Sequence, residues 1–357
     1  MRYIFIIQGE GRGHLTQAIT LSALLRGAGH TVDRVLVGRC NKRELPEFFA
    51  REIGAPIGRY DAPSIDYGKG GKRGNMFVST LKGLAPWQLL KWYRSTRFIA
   101  SEIAASRADV VINLYELLMG ATAMIHRIKV PIISIAHQFI IDHPGYPLRR
   151  KGDSAQMMLS QNNRICGYGS SKILALSLYE LPTAGKIAVV PPLLRGEIFS
   201  MQPTSKGYLL GYMLNPAYLD EVVAWRERNA EPELHLFWDK AGAAAVEEHR
   251  PGLFLHRIDD KAFIELMEHC CGYLTTAGFE SVCEAAFMGK PVMMVAAHLE
   301  QEINAREASS LGIGVVASSF EIERLTNFIP EYSFDSAAFR AWVGSSSEHT
   351  LRELTTL

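Results

Sequence analysis

The chain has 357 residues, a formal net charge of +1, 48% hydrophobic residues and 21% charged residues. That balance suits two globular domains with full cores, and it offers no global field for nucleic acid or a strongly acidic partner. No stretch reaches the ~20 apolar residues of a membrane span, and five cysteines without a Cys-x-x-Cys read as reduced thiols of a cytoplasmic protein rather than a disulfide frame or zinc site.

The opening MRYIFIIQGEGRGHLTQAITLSALLRGAGHTVDRVLVG reads strand, glycine loop, helix, glycine stop, strand. Its apolar run is too short for a signal peptide. Tyr3 to Ile7 is continuous apolar sequence, the mark of a parallel strand covered on both faces. The helix is expected from about Leu15, with Ile19, Leu21, Leu24 and Leu25 near one face and Gly27 and Gly29 as its stop. Val32 to Val37 is the next strand. ADVVINLY (108–115), a helix over 117–128 and VPIISIAHQ (130–138) continue the alternation, followed by RICGYG and KIAVVPPL.

Pro191-Pro192 and the stretch after them read as a linker. The pattern then restarts with strands at 207–214, 233–238, 253–258, 272–278 and 291–297, and Asn215-Pro216 reads as a helix start. Apolar strands alternating with helices predict an α/β protein of two doubly wound, Rossmann-like domains. The expected division is 1–192, a linker at 193–206, 207–335, and a C-terminal helix over 336–357 placed to pack back on the first domain.

Between the first strand and helix lies QGEGRGH (8–14). Its glycines let the backbone approach a ligand and leave a helix N-terminus open. Gly9, Gly11 and Gly13 give G-x-G-x-G, not the G-x-G-x-x-G of a dinucleotide site, and Asp33 falls within or before the second strand instead of ending it. His14 closes the loop. A helix N-terminus disfavours a cation, so a neutral imidazole able to accept a proton is expected. The plainer alternative is a histidine that satisfies a backbone group at the cap.

The second informative stretch is GYLTTAGFESVCEAAFMGKPVMMVAAHLEQEINA (272–305). A strand ends at Thr275 and a helix begins near Phe279. Thr275, Thr276, Gly278 and the amides of Phe279 to Ser281 then offer donors at a helix N-terminus, an anion site suited to a diphosphate. Glu284 lies a turn further on, where its carboxylate can take two ribose hydroxyls. Glu300 and Gln301 follow the next strand, at the carboxyl edge where open α/β sheets bind ligands.

On these residues the sequence resembles the GT-B glycosyltransferases, in the group containing the peptidoglycan (lipid-linked) GlcNAc transferase and the diacylglycerol glucosyltransferases. The similarity covers nearly the whole chain and is strongest in 258–305 and in GEGRGHLTQA (9–18). It implies two Rossmann-like domains facing a cleft, with a nucleotide-sugar donor, expected to be UDP-linked, bound mainly by the second domain. Carried over by position, the backbone from His256 to Ile258 reads the base. Thr275, Thr276, Ala277, Gly278, Phe279, Glu280 and Ser281 hold the diphosphate. Glu284 holds the ribose, and Glu300 and Gln301 contact the sugar. Gly211, in a loop after a strand, approaches the phosphates from the other side, with Gly11 and Gly13 also near the donor. His14 becomes the base that deprotonates an acceptor hydroxyl, and transfer inverts the anomeric centre.

Three departures stand out. The diphosphate motif begins Thr-Ala-Gly, the second glycine loop has Gly211 alone, and NLYELL (113–118) carries Glu116 but has Leu114 where relatives have an Asp. No Asp-x-Asp occurs, and Asp259-Asp260 have the wrong spacing, so metal-independent chemistry is expected, with the helix near Phe279 meeting the leaving-group charge. The nucleotide sugar is a substrate, and no cofactor is implied. Two alternatives remain: a nucleotide-sugar 2-epimerase of the same fold, and a catalytically silent nucleotide-sugar binder.

On the acceptor side, 68–98 carries seven basic residues and no acid, with Phe77, Trp87, Trp92, Tyr93 and Phe98 interleaved. Basic and aromatic residues together suggest an anionic membrane surface and a lipid-linked or cell-envelope acceptor. The expected location is cytoplasmic, peripheral on the inner face of the membrane. His137 and Gln138 follow a strand end and are candidates to line the acceptor pocket with Glu116; a hydrogen-bonded loop histidine is the alternative.

Overall fold

Tyr3 to Ile7, the first apolar run, forms the buried body of β1 (Arg2–Ile7) in the computed structural model of the protein. The structure describes residues 1–39, 45–63, 85–213, 218–238, 240 and 242–356. The expected helix start at Asn215-Pro216 and the portion 68–84 of the basic segment lie outside the described residues. The chain divides into two units, the first from residues 1–63, 85–195 and 342–356 and the second from 196–341.

In the first unit, β1 is joined by β2 (Thr31–Arg39), β3 (Ile57–Asp61), β4 (Val110–Leu114), β5 (Ile132–Ala136), β6 (Lys172–Leu176) and β7 (Ile187–Val190). The sheet order is β3-β2-β1-β4-β5-β6-β7 and every pairing is parallel. Among the described residues five helices connect these strands: α1 (Arg12–Gly27), α2 (Glu47–Glu52), α3 (Pro86–Ala105), α4 (Leu117–Ile125) and α5 (Ser154–Cys166). Strands covered on both faces need apolar side chains in both directions. β4 and β5 meet that demand with every residue buried. Leu36, Ile99, Ile103, Val111 and Leu118 join one layer of core between the sheet and α3 and α4.

The order runs outward from β1 on one side and from β4 on the other, so connections reverse between them. Open sheets of this kind bind ligands at the carboxyl ends of the strands, at that reversal. The loop 8–11 and residues 115–116 emerge there.

The second unit contains β8 (Leu209–Met213), α6 (Leu219–Arg226), β9 (Leu234–Trp238), β10 (Val246–Arg250), β11 (Leu253–Arg257) and α7 (Asp260–His269). β12 (Gly272–Thr275), α8 (Phe279–Phe287), β13 (Val292–Met294), α9 (Leu299–Ser310), β14 (Gly314–Val316) and α10 (Ile322–Phe328) follow. Its order is β10-β11-β9-β8-β12-β13-β14, parallel except for β10 against β11. Here the reversal lies between β8 and β12, and the turn after β12 opens α8. The two sheets with their helices form an α/β fold of two doubly wound, Rossmann-like units.

The segment 193–206, expected as a linker, is divided between the units at Arg195/Gly196 and is tied down on both sides. Leu193 and Leu194 are buried in the first unit, and Thr20 donates to the Leu194 carbonyl at 3.4 Å. In the second, Ile198 is buried and the Thr204 and Lys206 amides donate to Glu268 and His269 carbonyls. The Pro-Pro pair marked a boundary, but the apolar residues after it found cores. The C-terminal sequence forms two helices, α11 (Ser336–Gly344) and α12 (Ser346–Thr355). Residues from Trp342 onward belong to the first unit, where Leu354 is fully buried and Trp342 donates its indole N–H to the Ser177 carbonyl at 2.9 Å.

Candidate active site

α1 begins at Arg12, three residues before the expected start at Leu15, with Gly11 in extended conformation as N-cap and no side chain capping it. His14 therefore stands in the first turn, with its side chain mostly buried. Its Nδ1 lies 3.3 Å from Oε1 of Gln17, one turn on and also buried. An amide oxygen accepts, so this contact suits the tautomer with the ring proton on Nδ1. The His14 ring also stacks on Tyr115, centroids 6.0 Å apart at 27°.

Two glycines of the loop differ in what they do. A Cβ on Gly9 would fall 1.9 Å from the Gly38 carbonyl oxygen, so Gly9 is a packing glycine where the loop crosses β2. A Cβ on Gly11 would meet nothing closer than 4.0 Å. The protein's own packing does not demand that glycine, and the open backbone before α1 suits a ligand.

Glu116 follows β4, is fully buried and caps α4, accepting from the Leu118 amide at 2.9 Å. Burial pushes its carboxyl up to about 7; the Leu118 amide and the Tyr60 hydroxyl pull it down, and Glu10 pushes it up again. Gly38 makes room for it, since a Cβ there would lie 2.8 Å from Glu116 Oε2. Glu116 thus titrates near neutrality at the edge of the reversal between β1 and β4.

The neighbouring positions are buried. Leu114 is fully buried and pairs with Ile7 across the sheet, so this position is part of the core. His137 and Gln138 open a 3₁₀ turn after β5 (His137–Asp142), and both are buried. His137 Nδ1 donates to the Leu176 carbonyl at 2.7 Å, which ties that imidazole to β6. The nearby His143 is committed similarly, its Nε2 donating to the Pro182 carbonyl at 2.9 Å.

In the second unit the turn after β12 has an unusual backbone. Ala277 adopts φ +61°, a left-handed conformation rare for a residue with a Cβ. Asn304 of α9 braces it, donating to the Ala277 carbonyl at 3.2 Å. Gly278 is the N-cap of α8 and has no side-chain cap. A Cβ there would sit 3.7 Å from Ser281 Oγ, an ordinary contact. The first amides of α8, from Phe279 to Ser281, therefore form a helix N-terminus without a side-chain cap, the geometry that binds anions. Glu280 lies in that first turn with its carboxylate mostly buried, so the turn offers the amide of this residue to a ligand rather than its acid.

Glu284 is buried on the next turn of α8. Burial raises the Cys283 thiol well above its usual range, and Glu280, Glu284 and Glu307 raise it further, so three carboxylates converge on that side of α8 and α9. Among the described residues no group of His, Cys, Asp and Glu could hold a metal ion. Asp259 is the N-cap of α7, accepting from the Lys261 and Ala262 amides at 3.0 Å. In the first turn of α9, Glu300 is half-buried, whereas Gln301 is buried and accepts the Ala297 amide at 2.9 Å. Ile258 lies just beyond β11. The His256 side chain points into an aromatic cluster, stacked on Phe237 at 4.7 Å and 2.9 Å from His235. Burial, then His235, lowers its pKa to about 4.

Gly211 requires a correction. It does not lie in a loop after a strand; it sits in the middle of β8, where a Cβ would strike Leu236 at 2.5 Å and Leu274 at 3.0 Å. It is a core glycine that lets two leucines meet, and its backbone is engaged in the sheet with Leu236 and Leu274.

A family model described as "Glycosyl transferase family 1" matches residues 1–332. The chain belongs to glycosyl transferase family 1. Among solved structures, the glycotransferase of kitacinnamycin superposes with this family 1 chain at TM-score 0.64 and 15% identity, covering 99% of this chain and 98% of that one. Arabidopsis thaliana UGT89C1 in complex with UDP gives TM-score 0.64 at 16% identity, again covering 99% and 98%. The same plant protein has been solved with UDP-L-rhamnose, at TM-score 0.63 and 14% identity. A curated relative, mogroside IIIx synthase of Siraitia grosvenorii, is 28% identical over 100 residues. That match spans 24% of this chain and 22% of the relative's length.

Several residues of the family 1 chain's candidate site were not singled out by sequence reading: Gln17, Gly38, Tyr60 and Tyr115. Gly38 carried a usable signal, because a glycine inside a strand pattern marks a close approach. Gln17 is the residue at i+3 from His14, one helical turn away. Nothing local points to Tyr60 or Tyr115, which reach the site only through sheet order.

Proposed function

We propose that the chain transfers a sugar from a nucleotide-sugar donor, a UDP-sugar, to an acceptor hydroxyl, with inversion and without a metal ion. The observation that carries this reading is the turn at 276–281. Its left-handed Ala277, its glycine N-cap and the N-terminus of α8 at a sheet reversal suit a diphosphate. Family membership and the UDP and UDP-L-rhamnose complexes of the plant neighbour support the donor class.

In the reaction, the acceptor oxygen forms a bond to the anomeric carbon as the bond from that carbon to the diphosphate oxygen breaks. His14 takes the acceptor proton. The N-terminus of α8, equivalent to roughly +0.5 charge with its amides, meets the charge arriving on the diphosphate. Glu284 takes the ribose hydroxyls, Glu300 and Gln301 meet the sugar, and the backbone at Ile258 meets the base.

A surface of the first unit supports an acceptor presented by an anionic membrane. On the outward face of α3, Trp87, Leu90 and Tyr93 are 72%, 51% and 45% exposed, beside exposed Arg94 and Arg97. Tyr93 contacts His126, next to exposed Met124 and Ile125 at the end of α4 and exposed Arg127. The sequence holds no acid from 67 to 101 or from 117 to 141. Apolar side chains ringed by cations suit a bilayer interface with anionic headgroups. A lipid-linked or cell-envelope acceptor on the inner leaflet fits that surface.

A thermal-shift panel of nucleotides and UDP-sugars, with and without EDTA, tests the donor site. UDP-selective stabilisation that ignores EDTA and disappears in Glu284→Ala is the expected result; no nucleotide response sinks the assignment. Co-sedimentation with phosphatidylglycerol-containing vesicles, lost in Trp87→Ser/Leu90→Ser and at high salt, is expected for the membrane surface. Equal sedimentation with neutral vesicles would overturn it.

A further inference from the structure

His14, as a base, needs a fixed tautomer and ring plane. Gln17 and Tyr115 both reach the imidazole. Gln17 meets Nδ1 at 3.3 Å, and the Tyr115 ring lies along its face.

Tyr115 is held with unusual firmness. Its φ is +55°, costly for a bulky side chain, so the surrounding structure must enforce it. Its hydroxyl donates to Asn163 Oδ1 at 2.7 Å and accepts from Asn162 Nδ2 at 3.0 Å. Asn163 in turn donates to Asp142 at 2.7 Å and to the Gln138 carbonyl at 2.8 Å. Ser160 donates to the other oxygen of Asp142 at 2.6 Å. Phe139 packs edge-on against the Tyr115 ring at 5.4 Å. A strained backbone, a locked hydroxyl and a stacked ring converge on one residue whose ring lies against the imidazole.

We infer that Gln17 and Tyr115 are positioning residues for His14: the amide oxygen keeps the proton on Nδ1, and the ring fixes the plane that presents Nε2. This rests on the reading of His14 as the base. A neutral amide orients the ring but adds no negative charge to an imidazolium. A carboxylate in the same place would orient it and also raise its proton affinity.

The test is proton–nitrogen correlation spectroscopy of the full chain carrying isotope-labelled histidine, with His14→Gln to assign the signal. His14 is expected as the Nδ1–H tautomer. Gln17→Glu is expected to raise the His14 pKa by about one unit. Tyr115→Phe keeps the ring and the tautomer, whereas Tyr115→Leu returns His14 to a mixture of tautomers. Melting temperatures separate this from unfolding, and Gln17→Glu, away from the strained backbone, carries the test if Tyr115→Leu does not fold. An Nε2–H tautomer in the wild type, or no shift in Gln17→Glu, overturns the inference. Turnover of a UDP-sugar by His14→Ala would instead sink the base assignment and leave these spectra as they are.

Discussion

The two sheet reversals are solved by different chemistry. In the second unit the turn at 276–281 is made of backbone, a left-handed alanine, a glycine cap and the first turn of α8. In the first, the same location is filled by side chains from distant parts of the chain: His14 and Gln17 from α1, Tyr115 and Glu116 after β4, and Gly38 and Tyr60 from β2 and β3. A backbone site needs only one short segment in the right conformation. A side-chain site needs several strands in register, so substitutions in the two should fail differently.

The largest contrast is expected from His14→Ala. Loss of a general base costs about 100- to 10,000-fold in transfer, with UDP affinity unchanged. Transfer within tenfold of wild type would break the division of labour between a chemical unit and a donor unit.

Glu116→Gln should come next, and it acts on stability. The folded carboxyl is pushed up to about 7, well above the usual carboxylate range, because burial favours the neutral form. The stabilisation from that neutral form is complete below the unfolded value and is lost as pH rises through about 7. Wild-type protein is therefore expected to lose on the order of 2–3 kcal/mol between those limits. The amide variant lacks that slope. Denaturation midpoints measured from pH 5 to 8 check it, and equal slopes in both proteins would rule out the buried neutral acid.

Gly278→Ala separates ligand binding from folding. Its backbone is ordinary and the added Cβ has room, so melting should not change. A methyl facing the α8 amides should weaken UDP binding by about tenfold, or ~1.4 kcal/mol. Calorimetric titration of UDP reads this directly; unchanged affinity would mean that the diphosphate does not approach that turn.

Ala277→Gly gives the smallest effect. Removing the Cβ relieves left-handed strain but loosens the unfolded chain, for a net gain of roughly 0.5 kcal/mol with UDP affinity retained. Destabilisation in thermal melts would show that Asn304 does not hold this turn as the structure indicates.

The sequence alone determined the architecture and most of the turn at 276–281. Continuous apolar runs such as Tyr3–Ile7 could only be strands covered on both faces. The order of strand, turn, helix and strand from 272 to 305 kept Thr275, Gly278, Glu284 and Gln301 within one local unit. Strands with mixed or short patterns, β3, β6, β10 and β14, became strands by pairing with neighbours. Tertiary structure decided that Gly211 is a core glycine, because the leucines it admits come from β9 and β12. It also decided that His14 meets a glutamine and a tyrosine, and that Glu116 is buried enough to titrate near 7. Those outcomes depend on which strands adjoin, and adjacency across β3, β2, β1 and β4 is fixed by burying apolar faces together, which no local stretch of residues records.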